Sequence, residues 1–130
     1  GLCVPAPRQV GNRLFLTAFY NGPRMIEVGP GSTAAKIGWK GNSNSEERTH
    51  GLHSIMPTPW VTETHIYGIC SYGQLRCLDA KTGAVVYEKR LDGARNLYAS
   101  LTAADGKLYA VTRRSGTFVP RFGDIRYPAR

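Results

Sequence analysis

The stretch GQLRCLDAKTGAVVY, residues 73–87, predicts a strand, a tight turn and a second strand. Residues 75–78 form a short apolar-rich run, and residues 84–87 are small, β-branched or aromatic, which is typical of strands. Between the two runs, the side chain of Asp79 can cap the turn, and Gly83 can adopt the positive φ that closes it. The rest of the chain is organised around copies of this hairpin.

Three segments of the chain align with one another: residues 5–15, 57–67 and 99–109. Each has a small or Pro-rich start, a polar turn, one basic residue or His, and then an aliphatic residue followed by an aromatic one. Successive segments lie 52 and 42 residues apart. The shorter offset matches the roughly 40–45-residue spacing of four-stranded propeller blades, which makes a propeller the predicted architecture.

Each unit continues in the same order after its aligned segment. Continuous apolar runs at 14–20, 66–70 and 108–111 predict strands covered on both faces, and each ends at a glycine turn: Asn21-Gly22, Gly73 and Ser115-Gly116. The next strands are predicted at 25–28, 75–78 and 117–119, and fourth strands at 35–39 and 84–87. The polar, Gly-flanked residues 41–51 account for the longer first offset and predict an inter-unit loop.

The predicted fold class is therefore all-β, with four-stranded antiparallel propeller blades and no helix. We expect one segment over residues 1–130, with blades near 3–40, 55–91 and 97–130. The third blade is predicted to be incomplete, because residues 120–130 contain two prolines and no clear fourth strand. This array is an incomplete propeller, since closed propellers typically have 4–8 blades.

Composition limits the functional classes. At 130 residues, with 42% hydrophobic and 20% charged residues, the chain is typical of one globular domain. No apolar run approaches the roughly 20 residues of a membrane span, and no signal peptide is expected from the first residues. The net charge of +8 comes from 17 basic and 9 acidic residues that are scattered along the chain without a nucleic-acid motif. A basic solvated surface is the favoured interpretation, and a module that binds an anionic polymer is an alternative.

The three cysteines, Cys3, Cys70 and Cys77, are too few and odd in number for a disulfide framework. If Gly73 and Gln74 form a two-residue hairpin turn, Cys70 faces Cys77 directly across the strands. A bridge remains open in that register, but the pair would have the wider Cα separation of hydrogen-bonded partners. Buried free thiols are the favoured prediction.

The hairpin sequence resembles the repeat of quinoprotein-type (PQQ-like) β-propellers, in which a small residue, an Asp, a Thr-Gly pair and a Trp recur at these positions. In that family the Trp docks against the neighbouring blade and locks the two together. The sequence departs from the pattern at two positions, with Cys77 in place of the usual Ala and Tyr87 in place of the Trp. The resemblance covers nearly the whole chain and rests on Cys77, Asp79, Thr82, Gly83 and Tyr87, with Trp39 matching the expected Trp in the first unit.

The resemblance implies a blade array and does not imply a bound quinone. Quinoprotein dehydrogenases use a catalytic Asp, a calcium site and cofactor-stacking residues spread over many blades, and none of these can be assigned to residues here. No cofactor is therefore expected, and a fragment of a PQQ-dependent quinoprotein dehydrogenase is kept as an alternative. Other members are non-enzymatic, including a propeller lipoprotein that scaffolds outer-membrane protein assembly, and the family is commonly periplasmic or secreted.

We therefore expect a non-catalytic protein-interaction or scaffolding module. Its exposed blade faces would be covered by a protein partner or by self-association, since fewer than three blades leave such faces open. The only His and carboxylate cluster is His50 and His53 with Glu46 and Glu47 nearby. Because a loop with this spacing specifies no coordination geometry, no metal site is predicted and the two His are candidates only. His65 is interpreted as an exposed turn residue.

Overall fold

The computed structural model describes residues 4–31, 33–91, 99–112 and 116–118. Within these ranges the chain forms antiparallel β-sheets and no helix, as the sequence predicts. The first blade has the order β1 (Arg8–Val10), β2 (Arg13–Leu16), β3 (Arg24–Val28) and β4 (Ala35–Lys40). The second has β5 (Trp60–Val61), β6 (His65–Ile69), β7 (Gln74–Asp79) and β8 (Val85–Arg90). The third has β9 (Ala99–Ala104), β10 (Lys107–Thr112) and β11 (Gly116–Phe118).

The strand pairing reproduces the two sequence offsets in every blade. Phe15, Tyr67 and Tyr109 occupy the same place in the second strand of their sheets. Their partners on the first strand are, in the same order, Arg8, Trp60 and Thr102. Since pairing register is independent of the residue types used for the alignment, it shows that the three units share one strand arrangement.

The fourth strand of both complete blades carries the same irregularity. In the first blade Met25 faces Trp39 while the next residue, Ile26, faces Ile37, so one residue of β4 is left over. In the second blade Cys77 faces Tyr87 and the next residue faces Val85. A bulge of this kind re-aims the side chain beside it, and here it precedes Trp39 and Tyr87.

Two predicted turns are wrong in detail. In the first blade the strand ends at Leu16, and residues 17–23 form a loop, with Asn21 at φ 58° and a cis Gly22–Pro23 bond, instead of a two-residue hairpin. Thr17 leaves the ladder because its hydroxyl donates to the Leu52 carbonyl and accepts from the Ser54 amide.

The predicted register of Cys70 against Cys77 is also wrong. The Gly73 amide donates to the Cys70 carbonyl at 2.9 Å, and Gly73 has φ 87°, so the turn closes between these two residues. Cys77 therefore faces Tyr67, and Cys70 bonds through its amide to the Gln74 carbonyl. Both cysteines are free and buried, as predicted. Ser115 and the tail from 119 onward, where the sequence predicts an incomplete blade, lie outside the described residues.

The core lies between blades. One cluster joins blades one and two and consists of Phe15, Met25, Leu52, Ile66, Cys70, Leu78 and Ala80. A second joins blades two and three through Tyr67, Cys77 and Leu108, and a third consists of Ile69, Leu75, Leu91 and Ala110. The first strands of the blades are neighbours, β1 beside β5 and β5 beside β9, as expected where blades converge on a propeller axis.

The connection between the first two blades is also part of the core. The predicted loop at 41–51 contains no strand, but the residues that follow it are fully enclosed, with Leu52, His53 and Ser54 each at 0% exposure. Two of the three carbonyls are bonded: Leu52 accepts from Thr17 and His53 accepts from Ser71. Satisfied backbone groups allow this irregular segment to be buried.

Candidate functional site

The first blade junction is built on Trp39 and the turn after β7. The indole N–H of Trp39 donates to the Ala80 carbonyl at 3.1 Å, and its ring contacts Gly83 closely. A β-carbon at Gly83 would lie 2.5 Å from Cε3 of Trp39, and Gly83 has φ +74°. Glycine is therefore required at this position both for the turn and for the approach of the indole. The assignment of Trp39 as the docking Trp of the family repeat stays a prediction.

Asp79 organises the same turn. Its carboxylate Oδ1 accepts from the amides of Lys81 and Thr82, at 2.8 and 2.9 Å, and from the Thr82 hydroxyl at 3.1 Å. Burial opposes ionisation of Asp79, but these hydrogen bonds outweigh it and hold its pKa below the usual value. Asp79 and Thr82 are thus explained as turn residues.

At the second junction a tyrosine occupies the place of the tryptophan. Tyr87 is half-buried and packs against the cluster of Tyr67, Cys77 and Leu108. Burial raises the pKa of the Cys77 thiol to about 12 and that of Cys70 above its ordinary value. Neither thiol is suited to nucleophilic chemistry, since the reactive form is the thiolate.

Two arginines tie the blades together, and sequence reasoning missed both. Arg13 donates through Nη2 to the Glu63 carbonyl at 2.6 Å and through Nη1 to the Ala80 carbonyl at 3.4 Å. Arg76 is 6% exposed, pairs through Nε with Glu88 at 2.7 Å, and donates to the Gly51 carbonyl. For Arg76, the only indication in the sequence is that an Arg lies inside the apolar stretch of β7. Its carbonyl partner is remote in sequence and cannot be predicted from local spacing.

The two candidate histidines are not brought together. His50 is exposed on the inter-blade loop, whereas His53 is enclosed and bonds through Nδ1 to the Phe19 carbonyl at 2.9 Å. Burial lowers the pKa of His53, and the nearby charge of Arg76 acts in the same direction. Among the described residues no three His, Cys, Asp or Glu side chains are grouped so that they could hold a metal ion. His65 begins β6 and is half-buried, so its interpretation as an exposed turn residue is wrong.

The surface most clearly left without a structural partner is one face of blade one. Cross-strand partners lie on the same side of a sheet, so Leu14, Ile26 and Ile37 form one apolar row across β2, β3 and β4. Val28 lies on the same side, two residues after Ile26. We call these four residues the open face.

The equivalent residues of blade two are covered by blade one. In the strand pairing Ile66 corresponds to Leu14, Leu78 to Ile26, and Val85 to Ile37. Ile66 and Leu78 are each 0% exposed, while Ile37 is 56% and Val28 is 36% exposed. The open face therefore has the residue types of an inter-blade surface, and no described element packs on it as blade one packs on blade two.

Three consecutive sheets stacked face to face, with their first strands adjacent, define a β-propeller architecture. Among solved structures the chain is similar to BamB from Moraxella catarrhalis, with a TM-score of 0.64 and 17% identity over 92% of this chain. The chain spans about a third, 34%, of the length of that protein. At this identity the likeness establishes the fold, which is part of a β-propeller.

No protein-family model matches the chain. A search of curated proteins also finds no match. No helix that could cross a bilayer is present in the ranges that the structure describes.

Proposed function

We propose that the chain is a non-catalytic protein-interaction module and that its binding element is the open face. The observation that carries the proposal is the contrast between equivalent residues. Leu14 and Ile26 are half-buried, whereas their counterparts Ile66 and Leu78 on blade two are 0% exposed. Ile37 is 56% exposed, whereas its counterpart Val85 is half-buried. An apolar sheet face of this kind gains stability when it is removed from water, at roughly 25 cal/mol per Å².

The occupant is another propeller blade, because the chain already contains the complementary surface. Blade two receives an aromatic and apolar face made of Phe15, Met25 and Trp39. Blade three presents the corresponding side of its own sheet, where Tyr109 is half-buried and Val111 is 46% exposed. In the isolated chain the available blade is therefore the third blade of a second copy, in a head-to-tail arrangement.

Solution molar mass tests the proposal. Light scattering after size exclusion, over a range of concentrations, should give an oligomer that Ile37→Asp or Val28→Asp dissociates. Both residues are exposed in the single chain, so these variants should keep the fold. Met56→Asp is the matched control, because Met56 is 43% exposed on the loop before β5, away from the open face.

A monomer at every concentration, or an oligomer that Ile37→Asp leaves intact, contradicts the proposal. The proposed biological role of this surface is scaffolding. The family resemblance implies an extracytoplasmic setting for it. The scaffolding role is supported by the propeller fold shared with BamB.

A further inference from the structure

A second surface of the chain is a cleft between blades one and two, on the outer side of the Trp39 junction. Its volume is about 520 Å³, within the roughly 300–1,000 Å³ of small-molecule sites. The end of β4 and the inter-blade loop form one wall, and the turn after Asp79 forms the other. Trp39 also lines the cleft.

The lining is basic. Lys40, Arg48 and His50 all contribute to it, and no Asp or Glu does. The two carboxylates of the same loop lie elsewhere, because Glu46 and Glu47 accept from the Tyr72 hydroxyl at 3.4 and 3.2 Å.

The cations of the cleft are not neutralised within the described chain. Among the described residues, ion pairs join Lys36 to Glu27 and Arg76 to Glu88. Neither pair involves Lys40 or Arg48. An arginine without a carboxylate partner can bind the oxygens of a phosphate through two parallel N–H donors. Asn42 also lines the cleft, and an Asn side chain carries an amide that can donate.

We propose that this cleft binds a small phosphate-bearing anion, with Arg48 as its main charged contact and His50 as a second donor. The inference is independent of the proposed function, because the open face lies on the other side of blade one. It assigns a binding role to two of the 17 basic residues, Lys40 and Arg48.

Trp39 provides a direct readout. The chain has two tryptophans, so Trp60→Phe leaves Trp39 as the single tryptophan, which can be excited selectively over the tyrosines and which lines the cleft. Titration of the Trp60→Phe chain with inorganic pyrophosphate should give a saturable change in fluorescence. Arg48→Gln in that background should weaken the apparent affinity about 10-fold, the effect of losing one charge-assisted contact.

The matched control is Arg90→Gln, which removes the same charge from an exposed residue at the opposite end of β8 from the cleft residue Val85. It should leave the affinity within about 2-fold, since distant surface charges are screened by salt. His50→Gln should weaken binding less than Arg48→Gln does. The proposal fails if no saturable change occurs at millimolar pyrophosphate. It also fails if Arg90→Gln weakens binding as much as Arg48→Gln, since that identifies net charge as the cause. Equal or tighter binding of citrate contradicts the phosphate class.

Discussion

Trp39 and Gly83 form a steric pair across the boundary between blades one and two. The indole of Trp39 occupies the space that a side chain at Gly83 would need, with Cε3 at 2.5 Å from an ideal β-carbon. Its N–H is fixed at the same time by the Ala80 carbonyl, at 3.1 Å. The glycine and the tryptophan therefore depend on each other, and this dependence can be measured.

Gly83→Ala should lower the free energy of unfolding by about 3 kcal/mol, from positive-φ strain of about 1 kcal/mol plus displacement of the indole. Gly106→Ala is the matched control, because Gly106 has φ +67° and no atom within 4 Å of its ideal β-carbon. It should cost only about 1 kcal/mol. Chemical denaturation of both variants gives the comparison.

The same pair can be tested by a double-mutant cycle. Trp39→Ala alone should cost about 3 kcal/mol, since a large aromatic is removed from a junction core. In that background Gly83→Ala should cost no more than Gly106→Ala does, because the ring that it would displace is gone. Additive costs of Trp39→Ala and Gly83→Ala would show that the two residues act separately.

Asp79→Ala should lower the free energy of unfolding by about 1 kcal/mol at neutral pH, because two amides of the turn lose their acceptor. The Asp79 pKa is lower in the folded chain than the ordinary 3.8, so its contribution is present above that pH and is lost as the pH falls below it. The difference between Asp79→Ala and the unaltered chain should shrink in acid. Glu63→Ala, an exposed acid in another turn, should show no such change.

His53 should make the chain less stable in mild acid. Its pKa is lowered by burial in the folded state, so the unfolded state binds more protons below about 6.5. The free energy of unfolding should therefore fall as the pH drops through that value. In His53→Asn, whose amide can still donate to the Phe19 carbonyl, this fall should be reduced, whereas His50→Gln should retain it. An unchanged pH profile in His53→Asn would assign the effect to another group.

The thiols of Cys70 and Cys77 should be protected from alkylation in the native state. Both are buried, and the pKa of Cys77 is raised to about 12, so little thiolate is present at neutral pH. In a Cys3→Ser variant a thiol reagent should label nothing until denaturant is added, and should then label both remaining cysteines. Rapid labelling of the native variant would contradict the burial of the inter-blade core.

The blade repeat could be predicted from the sequence because it is carried by residue types at fixed offsets. An aliphatic residue followed by an aromatic one recurs in the second strand of each blade. The structure places the aromatic residues Phe15, Tyr67 and Tyr109 at equivalent positions. The turn at Asp79 was equally clear, since an Asp and a glycine there have direct conformational roles. Local residue patterns were sufficient to predict these features.

The remaining features depend on contacts that local patterns do not encode. The register of Cys77 follows from how Gly73 closes its turn, and the Arg76 carbonyl partner lies 25 residues away. The open face could be recognised only after strand pairing had shown which residues share a side of the sheet. The basic cleft likewise joins the loop after Lys40 to a turn about 40 residues further along the chain.

The leftover residue in the fourth strand occurs at the same point of blades one and two, just before Trp39 and just before Tyr87. The irregularity therefore recurs with the repeat. For protein engineers, it means that the bulge is part of the building block. An array extended by copying the 42-residue unit 57–98 would reproduce it at each new interface, and Tyr87→Trp in each copy would supply the indole that the first junction uses.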